Sequence, residues 1–327
     1  MNVILAKTAG FCFGVNRAVT LTYDLLQQGH KVATLGPLIH NNQVVGDLEA
    51  KGALTCADVD AVPDGYEVVI RSHGVPSDVY EKISTRSLVY HDATCPFVAK
   101  IHRIAELAGK KGALLLVAGD AEHPEVKGIV GHTSGKVRVF ADLPELQKLL
   151  PEILQQESIT VVAQTTFRVE SWEKCKAFLK KECTKAEIFD TICNATWARQ
   201  QEAEDLSQKC DRMVVIGGHH SSNTQKLLQV AARHTRAVNV ENADELDREW
   251  LAGAKTVGVT AGASTPSSII EEVLNSMSEE IRDDMSFEEM LAASEAKPLY
   301  AGKIVKAKVI SVSPTECVVG IDGSKHT

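Results

Sequence analysis

Apolar residues along the chain fall into two patterns. Val68-Val69-Ile70, Leu114-Leu115-Leu116-Val117-Ala118, Val161-Val162-Ala163, Met213-Val214-Val215-Ile216 and Val257-Gly258-Val259 are short, unbroken runs. Such runs fit parallel strands buried on both faces better than half-exposed strands, which would alternate with polar residues. Each run closes on polar or glycine residues: Arg71-Ser72-His73-Gly74, Gly119-Asp120, Gln164-Thr165-Thr166, Gly217-Gly218-His219 and Thr260-Ala261-Gly262-Ala263-Ser264. Between the runs the period changes to that of a helix, as with Val15, Ala18, Val19, Thr22, Leu25 and Leu26 at i, i+3, i+4 and i+7 spacing. The alternation predicts an α/β chain with mainly parallel sheets. In such sheets ligands bind outside the carboxyl ends of the strands, where this chain keeps its Cys, His, Ser, Thr and Asn residues.

A repeat is superimposed on this alternation. Val89-Tyr90-His91-Asp92-Ala93-Thr94-Cys95-Pro96 and Ile188-Phe189-Asp190-Thr191-Ile192-Cys193-Asn194 share an Asp three residues before the Cys. Cys12 lies in a different local sequence, Gly10-Phe11-Cys12-Phe13-Gly14, but at the same kind of strand-to-helix junction. Helix N-termini favour negative charge and so suit thiolates. The pattern predicts three pseudo-repeated α/β lobes, 1–95, 96–192 and 193–281, with strand ends facing a central pocket, followed by a linker and tail at 282–327.

Composition narrows the function. The 327 residues are 44% hydrophobic and 24% charged, enough for more than one core, and the net charge of -8 gives no overall basic footprint for nucleic acid. No apolar run approaches a membrane span, and the first residues do not form a secretory signal, which predicts a cytoplasmic protein. There the eight cysteines read as thiols or metal ligands rather than disulfides, and the Asn194-Ala195-Thr196 sequon carries no weight. Three dispersed cysteines suit a zinc ion with an open fourth position or an iron-sulfur cubane lacking its fourth Cys, and the residues alone leave both open. Cys56, Cys175, Cys183, Cys210 and Cys317 have no repeat partner and read as structural.

His40, His73 and His123 fall at the ends of expected elements, where imidazoles can donate to phosphate oxygens. His91, His102, His132 and His234 read as capping or surface residues, and His219 and His220 are ambiguous. Ser221-Ser222-Asn223 precedes a helix and can serve as a plain cap or as an anion site, and Ser264 repeats the arrangement. Glu125, just past His123-Pro124, is the candidate acid, with Thr165 or Thr166 placed to orient its proton. There is neither a Walker loop nor a complete Gly-x-Gly-x-x-Gly motif, which disfavours a nucleotide.

Taken in order, Gly10-Phe11-Cys12-Phe13-Gly14-Val15, His40-Asn41, Ser72-His73-Gly74-Val75, Asp92-Ala93-Thr94-Cys95-Pro96, His123-Pro124-Glu125, Gln164-Thr165-Thr166, Ser221-Ser222-Asn223 and Thr260-Ala261-Gly262-Ala263-Ser264 resemble the 4-hydroxy-3-methylbut-2-enyl diphosphate reductases over residues 1–281. The resemblance implies a two-electron reductive dehydroxylation of that allylic diphosphate to isopentenyl and dimethylallyl diphosphates, the last step of the non-mevalonate isoprenoid pathway. It also implies a [4Fe-4S] cluster on Cys12, Cys95 and Cys193 with one open iron, and Glu125 as proton donor aided by Thr165 and His123. His40, His73, His123, Ser221, Ser222, Asn223 and Ser264 match the diphosphate-binding positions, and ferredoxin or flavodoxin would supply electrons.

The tail is different in kind. Ser286-Phe287-Glu288-Glu289-Met290-Leu291 and Gly302-Lys303-Ile304-Val305-Lys306-Ala307-Lys308-Val309-Ile310-Ser311-Val312 resemble the start of the RNA-binding OB repeats of a bacterial ribosomal protein. The chain ends too soon for a five-stranded OB barrel, so a partial OB-like β segment without RNA binding is expected. The rival readings are an RNA-associated scaffold and a zinc- or cysteine-dependent phosphoester hydrolase.

Overall fold

The computed structural model describes residues 1–277, 307–312 and 317–321. After strand β1 (Asn2–Leu5), one sheet is built from β2 (Val32–Leu35), β3 (Leu54–Cys56), β4 (Glu67–Ile70) and β5 (Tyr90–Asp92). A second holds β6 (Leu114–Ala118), β7 (Val137–Phe140), β8 (Ile159–Ala163) and β9 (Ala186–Ile188), and a third β10 (Arg212–Ile216), β11 (Arg236–Val240) and β12 (Thr256–Ala261). Their spatial orders are β5-β4-β2-β3, β9-β8-β6-β7 and β1-β12-β10-β11. All pairings within these sheets are parallel, as the unbroken apolar runs require. The third sheet repeats the order of the other two by taking its edge strand from the start of the chain, Asn2 to Leu5 pairing with Thr256 to Val259.

The helices are α1 (Phe13–Gln27), α2 (Asn42–Ala50), α3 (Ser77–Thr85), α4 (Pro96–Lys110), α5 (Pro124–Gly131), α6 (Leu143–Leu154), α7 (Val169–Glu182), α8 (Asn194–Ser207), α9 (Ser222–Ala231), α10 (Arg248–Leu251) and α11 (Ser267–Met277). Alternate residues of a strand feed different cores. Leu114, Leu116 and Ala118 pack with Phe140, Leu146 and Trp172, whereas Leu115 and Val117 pack with Ile101, Ala105, Val126 and Ile129. In the third sheet Val214 and Ile216 pack with Ile270 and Val273, while Met213 and Val215 pack with Ala203 and Leu227. Both faces are therefore dry, and polar chemistry is left to the strand ends.

Two compact units result: Met1–Asn16, His40–Val44 and Ala198–Thr327 in one, Arg17–Ile39 and Val45–Trp197 in the other. In the tail, β13 (Ala307–Val312) and β14 (Cys317–Ile321) pair antiparallel. The rest of the OB-like segment lies outside the described residues.

Candidate active site

The three repeat cysteines share one backbone arrangement, each closing the turn after an edge strand and opening a helix. The carbonyls of Cys12, Cys95 and Cys193 accept from the amides of Asn16, Ala99 and Trp197 at 2.9, 2.9 and 3.0 Å. Their own amides donate to the loop beyond the neighbouring strand: Cys12 to Ala263 at 3.1 Å, Cys95 to Ser72 at 3.0 Å and Cys193 to Thr165 at 3.2 Å. Cys12 is thus equivalent to the other two despite its divergent local sequence.

The Asp shared by the other two turns has a structural purpose. Asp92 accepts from the Thr94 amide at 2.8 Å and the Tyr80 hydroxyl at 3.0 Å, and Asp190 from the Trp172 indole and the Lys176 ammonium, both at 2.7 Å. The Sγ of Cys193 also accepts from the Thr196 amide at 3.3 Å. Cys12, Cys95 and Cys193 are partly exposed, whereas Cys56, Cys175, Cys183 and Cys210 are buried. Burial, with Asp142 nearby, pushes the Cys175 thiol up to about 11, the behaviour of a structural cysteine.

In the unit that carries Cys95 and Cys193, the loop after β6 places His123 as the cap of α5, its Nδ1 accepting from the Glu125 amide at 3.1 Å. Glu125, in the first turn, is 1% exposed. Its Oε1 accepts from the Thr165 amide at 2.6 Å and its Oε2 meets the Thr165 hydroxyl at 2.7 Å. Burial raises its pKa to about 7 against the opposing pull of these two bonds, so the carboxyl carries its proton close to neutral pH. His73 lies edge-on to His123 with ring centroids 5.4 Å apart. Acid, threonine and two histidines are therefore brought together. Of the two threonines offered by the sequence, Thr165 is the one whose amide and hydroxyl meet the Glu125 carboxyl.

The unit that carries Cys12 gathers His40, Ser221, Ser222, Asn223 and Ser264. Ser221 caps α9, its hydroxyl accepting from the Thr224 amide at 3.3 Å. Asn223 is 4% exposed, yet neither atom of its amide has a hydrogen-bond partner among the described residues. A buried amide without partners is costly unless a ligand satisfies it, and here it stands in the first turn of a helix, where anions are favoured. Ser264 donates to the His40 carbonyl at 3.2 Å. A Cβ at Gly218 would lie 2.7 Å from that same carbonyl, so only glycine lets the two loops approach so closely.

Three features were not legible as site chemistry. Gln164 is buried, its Oε1 accepting from the Asp120 amide at 3.1 Å while its Nε2 has no partner among the described residues. In the sequence it is part of Gln164-Thr165-Thr166, where it reads only as a strand end. His219, left ambiguous by sequence, engages Asn239 at 2.9 Å and Glu245 at 3.0 Å. His102, expected as a capping or surface residue, is instead 5% exposed.

A family model described as "LytB protein" matches residues 3–278. The chain belongs to the LytB family. Among LytB relatives, a 4-hydroxy-3-methylbut-2-enyl diphosphate reductase of Geotalea uraniireducens is 44% identical over 288 residues, covering 87% of this chain and 99% of its own. That of Clostridioides difficile is 41% identical, covering 84% and 98%. The solved E-1-hydroxy-2-methyl-but-2-enyl-4-diphosphate reductase of Plasmodium falciparum is 27% identical with a TM-score of 0.78, over 84% of this chain and 87% of that one. A second solved relative, titled (E)-4-hydroxy-3-methyl-but-2-enyl diphosphate reductase, the terminal enzyme of the non-mevalonate pathway, is 36% identical with a TM-score of 0.61, over 85% and 99%. The LytB fold of three parallel-sheet lobes is thus shared with solved reductases.

Proposed function

We propose that this chain reduces 4-hydroxy-3-methylbut-2-enyl diphosphate to isopentenyl and dimethylallyl diphosphates, closing the non-mevalonate pathway as its relatives do. In this reaction two electrons and two protons replace the allylic C–O bond by C–H and release the hydroxyl as water. The observation that carries the reading is Glu125: a wholly buried carboxyl that keeps a proton near pH 7 and is aligned by Thr165. A general acid with a pKa near the working pH is suited to protonating a poor leaving group.

Cys12, Cys95 and Cys193 are proposed to hold an iron-sulfur cluster, and the donor chemistry fits it. They supply soft thiol ligands, each at a helix start and each partly exposed where Cys56, Cys175, Cys183 and Cys210 are buried. When bound, a [4Fe-4S] cluster with three Cys ligands would supply electrons and a Lewis-acidic iron. The remaining work belongs to the chain. Thr165 fixes the rotamer of Glu125 through two bonds, and His123 caps α5 so that the carboxyl stays in its first turn. Glu125 then passes its proton to the departing hydroxyl.

Ser221, Ser222, Asn223 and Ser264, with His40, His73 and His123, are proposed to bind the diphosphate. The unsatisfied Asn223 side-chain amide, in the first turn of α9, supports an anionic ligand there. The electrons are proposed to come from ferredoxin or flavodoxin in the cytoplasm. No helix among the described residues is long and apolar enough to cross a membrane. RNA binding is not assigned to the tail.

Anaerobic turnover of the allylic diphosphate with a chemical reductant, followed by chromatography of the dephosphorylated products, tests the function. Both five-carbon alkenyl products are expected from the wild type, and hydrolysis of the diphosphate without reduction would overturn the reading.

A further inference from the structure

Two imidazoles outside the proposed active site are packed face to face. The rings of His102, on α4, and His132, which caps the C-terminus of α5, have centroids 4.0 Å apart and planes 18° from parallel. Burial, then the adjacent His132, lowers the pKa of His102 to about 3, so the ring is uncharged at neutral pH. Its Nε2 has no hydrogen-bond partner among the described residues. The ring therefore acts by shape.

That shape fills a narrow slot. Gly74, directly after His73 and at φ +68°, has no room for a Cβ, which would lie 2.4 Å from the His102 Cε1. Gly128 of α5 meets the same edge of the ring: a Cβ there would lie 3.1 Å from the His102 Nε2 and 3.6 Å from the His73 carbonyl. With glycine at both positions, the turn and α5 each approach the ring edge more closely than a residue with a Cβ would allow. His132 adds a tie through Nε2, 3.0 Å from the Val75 carbonyl. Ser77 adds another, its hydroxyl donating to the Gly131 carbonyl at 2.6 Å. The turn at 73–77 is thus held against the C-terminal half of α5, the helix that begins with His123 and Glu125.

We propose that the His102–His132 stack is a positioning device that fixes the His73 turn against α5, and so sets where His73 meets the diphosphate relative to Glu125. This rests on the diphosphate role proposed above for His73. A turn that binds the diphosphate equally in ground and transition states should reveal itself in KM rather than kcat. His102→Ala is expected to raise KM about tenfold while kcat stays within about threefold and the cluster absorbance is unchanged. Gly128→Ala alone, forced against the ring, should raise KM; placed on His102→Ala, its methyl should partly refill the slot and lower KM.

Wild-type KM in His102→Ala, or additive effects of the two substitutions, would overturn the proposal. Should His102→Ala fail to fold, His132→Phe keeps a ring stack but loses the bond to Val75. A KM rise of about threefold is then expected, and wild-type KM would overturn the proposal. His73→Ala separates the two ideas. Unchanged KM there removes the diphosphate role of His73 and this proposal with it. A raised KM there beside an unchanged KM in His102→Ala removes the proposal alone.

Discussion

Glu125 concentrates the chemistry in one residue and gives the clearest predictions. Removing its proton-donating group should spare binding and stop turnover: Glu125→Gln is expected to lower kcat by about 10²–10⁴ with KM little changed, measured anaerobically. A normal kcat would require another acid. With its folded pKa at about 7, wild-type kcat should decline as pH rises through 7, where the acid form is lost.

Stability follows the same sign. The folded pKa lies above the ordinary value of 4.5, so the neutral carboxyl's contribution is complete below pH 4.5 and is lost as pH rises to about 7. The shift corresponds to about 3 kcal/mol. In denaturant unfolding of the apoprotein at pH 5 and pH 8, the wild type should lose more stability than Glu125→Gln over that interval; parallel losses would contradict the shift. Glu125 and Thr165 were legible because the acid follows His-Pro at an expected strand end and the threonine closes another. His102 was not, since a lone histidine within a helix gives no sign that two distant glycines make room for its ring.

Among the elements, the helix starts matter most. Ser221→Ala removes the cap of α9 and should cost about 1 kcal/mol of stability. Asn223→Ala, by contrast, removes an amide without partners and should raise KM for the diphosphate severalfold with little loss of melting temperature. Equal destabilisation by both would make Asn223 a structural residue instead. The strand runs at 114–118, 161–163 and 213–216 announced buried parallel strands because alternate side chains feed two dry cores, and those at 68–70 and 257–259 are likewise buried. The edge strands were less legible: β5 and β9 have three residues each and mixed exposure, so hydrophobic periodicity barely registers there. Nor does a local pattern say that β1 pairs with β12, a partner more than two hundred residues away.

For the whole molecule, the recurrence of one strand order in three sheets explains why widely separated cysteines look alike. Each follows an edge strand and each is bonded to the loop of the neighbouring strand. The repeat was visible in Asp92 and Asp190, which brace their turns, and was obscured at Cys12, where glycines and phenylalanines surround the thiol. The family match spans residues 3–278, so a chain ending at 281 should keep wild-type turnover. A large loss would give the tail a part in the reaction. Replacing Cys12, Cys95 or Cys193 by Ala should abolish the cluster or its activity, while Cys56→Ala should leave iron content and turnover intact.

The most direct test of the central claim is Mössbauer spectroscopy of the anaerobically reconstituted, iron-57-labelled protein with and without the allylic diphosphate. One iron site that differs from the rest and changes when substrate is added is the predicted result. A protein that assembles no cluster, or a cluster whose spectrum ignores the substrate, would contradict it.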